Sequence, residues 1–248
     1  MAAHGTGGRG TGGHGGRAPR RPARPGRPAQ AKKTPRPAPP RPAPSEPPPA
    51  PVGSLRLGAI PGATPGKWID TWQERMRRNP LELVPLEVAE QRRALAQGEV
   101  DAAIVRLPID ARDLHVIPLY DETPVVVCGV DSHLTVADEL TYADLAGEVL
   151  IIPADDVLQA EVPGTVAPAF APPPTTADAI ATVAAGVGVI IVPMSLARLH
   201  HRKDTDYRPL LGGPTSTVAL AWPSGDASPL VDAFVGIVRG RSATSSRD

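Results

Sequence analysis

The chain has one cysteine, Cys128, among 248 residues. A single thiol excludes an intramolecular disulfide and a cysteine-based metal cluster. The sequence contains no run of about 18 apolar residues that could cross a bilayer. Its positively charged N-terminal end is followed by no apolar stretch of the kind that marks a secretory leader, and by no lipidation cysteine. The expected location is therefore cytoplasmic. Aromatics make up only 3% of the chain, and residues 1–53 hold no Ile, Leu, Phe, Trp or Tyr at all.

Those 53 residues do hold 14 of the 32 prolines, 10 of the 24 glycines, and ten Arg/Lys against one acid, Glu46. Such a segment cannot bury enough apolar surface to offset its ordering entropy, so disorder is expected over 1–53. Between Arg20 and Pro51 the prolines favour extended polyproline geometry. The net charge of zero is thus a balance of two halves, +9 over 1–53 and −9 over 54–248. The basic half could contact phosphates non-specifically, although it has no aromatic platforms for bases. A solvated tail, or an upstream extension from a misassigned start codon, fits it equally well.

From Ser54 the pattern changes. Ser54–Ile60 reads as a strand, and Thr64-Pro65 as a hydroxyl cap with proline in the first helical position. Trp68, Ile69, Trp72 and Met76 then share one helical face up to Asn79-Pro80. Leu81–Leu86 suits a second strand, Ala89–Gln97 a helix closed by Gly98 in the left-handed region, and Ala102–Val105 a buried strand. This alternation predicts parallel βαβ units. Beyond it come a strand at Thr123–Val130, a short helix at Thr141–Ala146 and a strand at Val149–Ile152. Next are a helix from Thr176 capped by Thr175 or Thr176 and stopped by Gly186, a strand at Val187–Val192 and a helix at Ser195–His200. The series closes with a strand at Thr217–Trp222 and a final helix over Leu230–Arg239.

One ordered series stands out. Leu95-Ala-Gln-Gly98-Glu-Val-Asp101-Ala-Ala-Ile-Val105 follows the β–Thr-Pro–α start and precedes Leu119–Val127. Asp131-Ser-His133, Leu140–Leu145 and Ala184-Ala-Gly-Val-Gly-Val-Ile-Ile-Val-Pro193 come after it. In this order the pieces resemble the effector-binding domain of LysR-type transcriptional regulators over about Leu55–Val238. Asp101 is expected to cap local backbone N–H groups, and the small residues around Gly186 and Gly188 to permit close helix–strand packing.

The resemblance implies an α/β type 2 periplasmic-binding-protein fold over 54–240, with lobe I at 54–119 and 217–240 and lobe II at 120–216. It also implies crossings between the lobes near 117–125 and 209–222, with a disordered C-terminus over 241–248. A ligand would lie between the lobes, where strand ends and helix N-termini favour anions. The implied ligand-binding residues are Pro61, Gly62, Ala63, Thr64, Arg106, Thr123, Ala154, Thr175 and Thr176. Arg106, a cation directly after a buried strand, is the candidate for charge pairing with an anionic effector, a surface arginine being the alternative. The threonines also serve as plain helix caps.

Two features depart from the family. A regulator of this type carries a winged helix-turn-helix, whereas residues 1–53 have no apolar periodicity for a DNA-reading helix, so sequence-specific DNA binding is not expected. Prolines between Leu158 and Thr175 preclude a long helix there, so the second lobe is expected to be trimmed.

Catalytic sets are not evident. Gly186-Val-Gly188 lacks the third glycine of a dinucleotide fingerprint, and Ser195 sits outside a G-x-S-x-G elbow. Adjacent His200 and His201 face different ways, Asp155-Asp156 suits a loop cap, and Cys128 suits a strand core. No enzyme activity, cofactor or metal is expected. The function expected is a small-molecule effector-binding protein that modulates transcription through a partner, a homodimer or its basic tail. The competing readings are a transporter's solute-binding protein, against which the missing leader argues, and an enzyme on the same fold.

Overall fold

The computed structural model describes Gly16, residues 53–225 and residues 228–240. The expectations for most of the 1–53 tail and for 241–248 lie outside the described residues.

Strands β1 (Leu55–Ala59), β2 (Leu81–Pro85), β3 (Ala102–Arg106), β4 (Leu114–Glu122) and β8 (Ser216–Pro223) form one sheet in the order β2-β1-β3-β8-β4. The β1–β2 and β1–β3 pairs are parallel, as the βαβ reading expects, while β8 runs antiparallel to β3 and β4. Strands β5 (Pro124–Gly129), β6 (Ile190–Pro193) and β7 (Thr205–Pro209) form a second, antiparallel sheet in the order β6-β5-β7. Each sheet is the centre of one lobe of the α/β fold. The chain passes from the first sheet to the second at Thr123 and returns over 210–215.

Both faces of each central strand are buried, as period-two alternation shows. Ala102 and Ile104 of β3 join Val218, Leu220 and Trp222 of β8 beneath helices α1 (Gly66–Arg75) and α5 (Pro229–Val238). The intervening Ala103, Val105, Ala219 and Ala221 pack on the other face, against Ala94 and Leu95 of α2 (Gln91–Ala96). In the second lobe Val125 and Val127 pack with helix α3 (Thr176–Ala184) and with α4 (Met194–Leu199). Val126 and Cys128 face Leu140, Leu145 and Leu150. Cys128 is fully buried, and burial pushes its thiol pKa up.

Several local expectations are corrected. Helix α1 starts at Gly66 with Pro65 at its N-cap and no side-chain cap bond, so Thr64 does not cap it; the Pro65 carbonyl accepts from Trp68 and Ile69 instead. Val149–Ile152 is not a strand. It makes isolated bridges, Val149 to Val166 and Leu150 to Val189, because its amides divide between two segments, Leu150 donating to Val166 and Ile151 to Val189, and run along neither. Ala89–Gln97 divides into a 3₁₀ turn, Val88–Glu90, and α2, with Gly98 following at φ +66°. Asp101 caps not its own segment but β1: its carboxylate accepts from the Arg56 amide at 2.8 Å and the Arg56 guanidinium at 2.7 Å. Gly188 lies where a Cβ would be 2.1 Å from the Val149 carbonyl oxygen, the close approach that small residues there allow.

Trp72 anchors the first lobe. It is fully buried, its ring centroid lies 6.0 Å from that of Phe234 on α5, and its Nε1 donates to the Asn79 carbonyl at 2.8 Å. Trp72→Ala should cost about 3–5 kcal/mol, read as a lower urea midpoint. A loss under about 1 kcal/mol would show that the α1–α5 contact is not central to the core.

Candidate functional site

A cleft of about 890 Å³ lies between the lobes. Its first-lobe wall comes from Pro61 after β1, Glu87–Ala89 after β2 and Arg106–Pro108 at the end of β3. These are the C-terminal ends of the three parallel strands, where an open α/β sheet leaves a crevice. The opposite wall comes from 154–157, the start of α3 and the end of α4. Most of the lining is apolar, including Val88, Leu107, Val157 and Leu196. A mostly apolar cavity of this size with a few polar groups suits a small organic ligand.

Five of the nine residues expected at the site line this cleft: Pro61, Arg106, Ala154, Thr175 and Thr176. Gly62, Ala63, Thr64 and Thr123 do not. Thr123 sits at the crossing between the sheets, where its carbonyl accepts from the Met194 amide at 3.0 Å. Gly62 contacts the other lobe directly. At its φ of +82°, a Cβ would lie 2.5 Å from Ser195 Oγ and 2.9 Å from Ser195 Cβ.

Arg106 is neither the exposed loop arginine nor a free cation. Its side chain is 2% exposed and is ion-paired to Glu122, which is 7% exposed. The same Nη1 also contacts the Ser216 hydroxyl. Gln91 clamps its backbone, accepting from the Arg106 amide at 2.9 Å and donating to its carbonyl at 2.7 Å. Nε and Nη2 remain buried with no partner among the described residues. Glu122 ends β4 and Ser216 begins β8, and the two are register partners. The guanidinium thus ties the last residue before one crossing to the first residue after the other. Nearby, burial and the negative Glu122 push the Tyr120 phenol pKa up.

At α3, Thr175 is the N-cap: its hydroxyl oxygen accepts from the Asp178 amide at 3.1 Å, and the hydroxyl also lies 2.7 Å from the Asp178 carboxylate. The buried Thr176 hydroxyl donates to Asp155 Oδ1 at 2.9 Å. Of the Asp155-Asp156 pair, Asp156 is the loop cap, accepting from the Leu158 and Gln159 amides at 3.0 Å, while Asp155 accepts from Thr176; both line the cleft. Sequence reasoning missed Glu87–Ala89, although the strand-end rule that selected Pro61 applies equally after β2. It also missed Leu196, Leu199 and His200, which no local signal marks, because only the tertiary fold brings α4 across the cleft.

A family model described as the LysR substrate binding domain matches residues 49–243. The chain is 26% identical over 204 residues to the Hca operon transcriptional activator HcaR of Escherichia coli (strain K12), a match covering 77% of this chain and 68% of that protein. It is 32% identical over 184 residues to the HTH-type transcriptional regulator CatR of Pseudomonas putida, covering 64% of this chain and 57% of that one. Among solved structures, the BenM effector binding domain with its effector benzoate superposes with TM-score 0.63 at 20% identity, over 76% of this chain and 91% of that one. A variant OxyR regulatory domain from Pseudomonas aeruginosa superposes with TM-score 0.59 at 25% identity, over 77% of this chain and all of the other.

Removing one partner of a buried ion pair strands the other charge. Glu122→Ala is therefore expected to lower stability by about 3–5 kcal/mol in urea unfolding, and Arg106→Ala to be destabilising for the same reason. Near-wild-type stability of Glu122→Ala would show that the pair does not tie the strands at the crossings.

Proposed function

The chain belongs to the LysR substrate-binding domain family, and on that footing we propose that it is an effector-binding protein that modulates transcription and performs no catalysis. The observation that carries this reading is the cleft of about 890 Å³, apolar for most of its lining and walled by both lobes. The hydroxyls on its lining are engaged, Thr175 as the cap of α3 and Thr176 as a donor to Asp155, which suits holding a ligand better than attacking one. The relatives HcaR and CatR are transcription regulators, and the BenM domain holds benzoate as its effector.

In this reading the effector fills the cleft and rests against Arg106 at the end of β3. Pro61 and Ala154, on opposite walls, close on its apolar body, with Thr175 and Thr176 at one end. Gly62 and Ala63 support the first wall, and Thr64 and Thr123 act at a distance through the α1 start and the crossing. Closure about Thr123 and 210–215 shifts the population of lobe arrangements. The signal leaves through a second copy or a partner regulator in the cytoplasm, or through contacts between the basic 1–53 segment and phosphates.

Two measurements test this. At a ligand concentration 100 times its Kd, binding adds roughly 2.7 kcal/mol, a Tm rise of roughly 5–10 °C for a domain of this size. A thermal-shift screen of small carboxylates and amino acids should yield such a ligand, and a flat response across that chemistry would overturn the reading. Gel shifts with and without residues 1–53 separate the output routes. The tail route expects salt-sensitive, sequence-indifferent retardation that deletion abolishes, while the partner route expects no retardation by either form.

A further inference from the structure

We propose that the Pro61-Gly62 turn of the first lobe and Ser195 of the second form a stop between the lobes, a contact beside one crossing that limits how far the cleft closes. Pro61 and Gly62 are the centre of a β-turn in which the Ala63 amide donates to the Ile60 carbonyl at 3.2 Å. Gly62 takes φ +82°, the positive value that the third position of a type II turn requires. A Cβ there would lie 2.5 Å from Ser195 Oγ, 2.9 Å from Ser195 Cβ and 3.3 Å from Leu196 Cδ2. The stop acts on closure itself, whatever the cleft binds.

Each side of the contact is fixed to its own lobe. Ile60 is buried, and its amide donates to the Ile104 carbonyl of β3 at 3.3 Å, so the turn moves with the first sheet. On the other side, Leu196 and Ala197 are buried with Val125 and Val192 of the second sheet. The Met194 amide donates to the Thr123 carbonyl at 3.0 Å. Neither side can retreat without disturbing its own core, so atoms added between them act on the lobes. Thr123 is a crossing residue, which places Ser195 and Gly62 near the point about which the lobes turn. A small change of separation there grows with distance from the crossing. Pro61 and Leu196 both line the cleft, so the contact adjoins it.

Ser195 Oγ is buried and has no hydrogen-bond partner among the described residues. An unbonded buried hydroxyl is unfavourable, and parting the lobes returns it to water. The contact thus resists further closure by shape and favours opening by solvation. Glycine at 62 answers two demands, the turn and the close approach. Backbone strain from another residue at positive φ does not depend on Ser195, whereas the collision does.

The test measures lobe separation in the full chain by pulsed electron–electron double resonance. Nitroxides are placed at Glu90→Cys and Glu161→Cys, exposed positions on opposite lobes, next to Ala89 and close to Gln159 of the two cleft walls. Cys128 is fully buried and stays unlabelled. Carbon atoms in contact sit about 3.5–4.0 Å apart, so Gly62→Ala needs ~1 Å more room at the stop, and the label distance is expected to lengthen by at least about that much. Combining Gly62→Ala with Ser195→Gly removes the two nearest atoms, leaves only the flexible end of Leu196, and is expected to restore the parental distance. Ser195→Leu loads the same contact without touching the Gly62 backbone; it is expected to lengthen the distance and decides the matter where Gly62→Ala does not fold. An unchanged distance in folded Gly62→Ala or in Ser195→Leu overturns the stop, because the turn or α4 then absorbs the added atoms. A lengthening that survives in the double variant also overturns it, tracing the change to backbone strain at 62.

Discussion

The guanidinium of Arg106 joins three strands where the two lobes part. It closes β3, pairs with Glu122 at the end of β4 and touches Ser216 at the start of β8, and both carboxylate and guanidinium are almost wholly out of water. Burying such a pair is expensive, and an apolar trio of similar volume could serve stability as well. What the charged pair adds is direction: it fixes which ends of β4 and β8 lie together, and therefore where the chain crosses at Thr123 and 210–215. The same residue contributes to the cleft wall, while its Nε and Nη2 are buried with no partner among the described residues. One residue thus belongs to both the cleft wall and the tie beside the crossings.

The sequence made the first half of the fold readable because each element there carries its own local signal. The helical face of Trp68, Trp72 and Met76, the Gly98 stop and the apolar Ala102–Val105 run each identify one element, and parallel pairing follows from their alternation. Where local signal and tertiary need diverged, the reading slipped. Thr205–Pro209 has polar and charged residues at most positions and became a strand only because β5 offers it an edge. Val149–Ile152 has the apolarity of a strand but divides its hydrogen bonds between Val166 and Val189. Thr64 has the chemistry of a cap, yet the helix starts one residue later than that role requires.

The site divides along the same line. Positions that follow from strand ends and helix starts, such as Pro61, Ala154 and Thr176, were accessible to sequence reasoning because topology alone places them at the crevice. Burial was not accessible. A cation after an apolar strand looks like a ligand anchor until Glu122, sixteen residues on, is brought beside it by the β4–β8 ladder. The Gly62–Ser195 contact joins the loop after β1 to α4, and no spacing in the chain announces it.

That difference bears on what the cleft selects. An anionic preference followed from two positive features, a free arginine and an open helix N-terminus, each read in isolation. In the folded chain each is met by an internal acid, and the carboxylates that remain lie on opposite lobes. Net charge at the lining is therefore set by the pairing between elements and not by the residues at the strand ends.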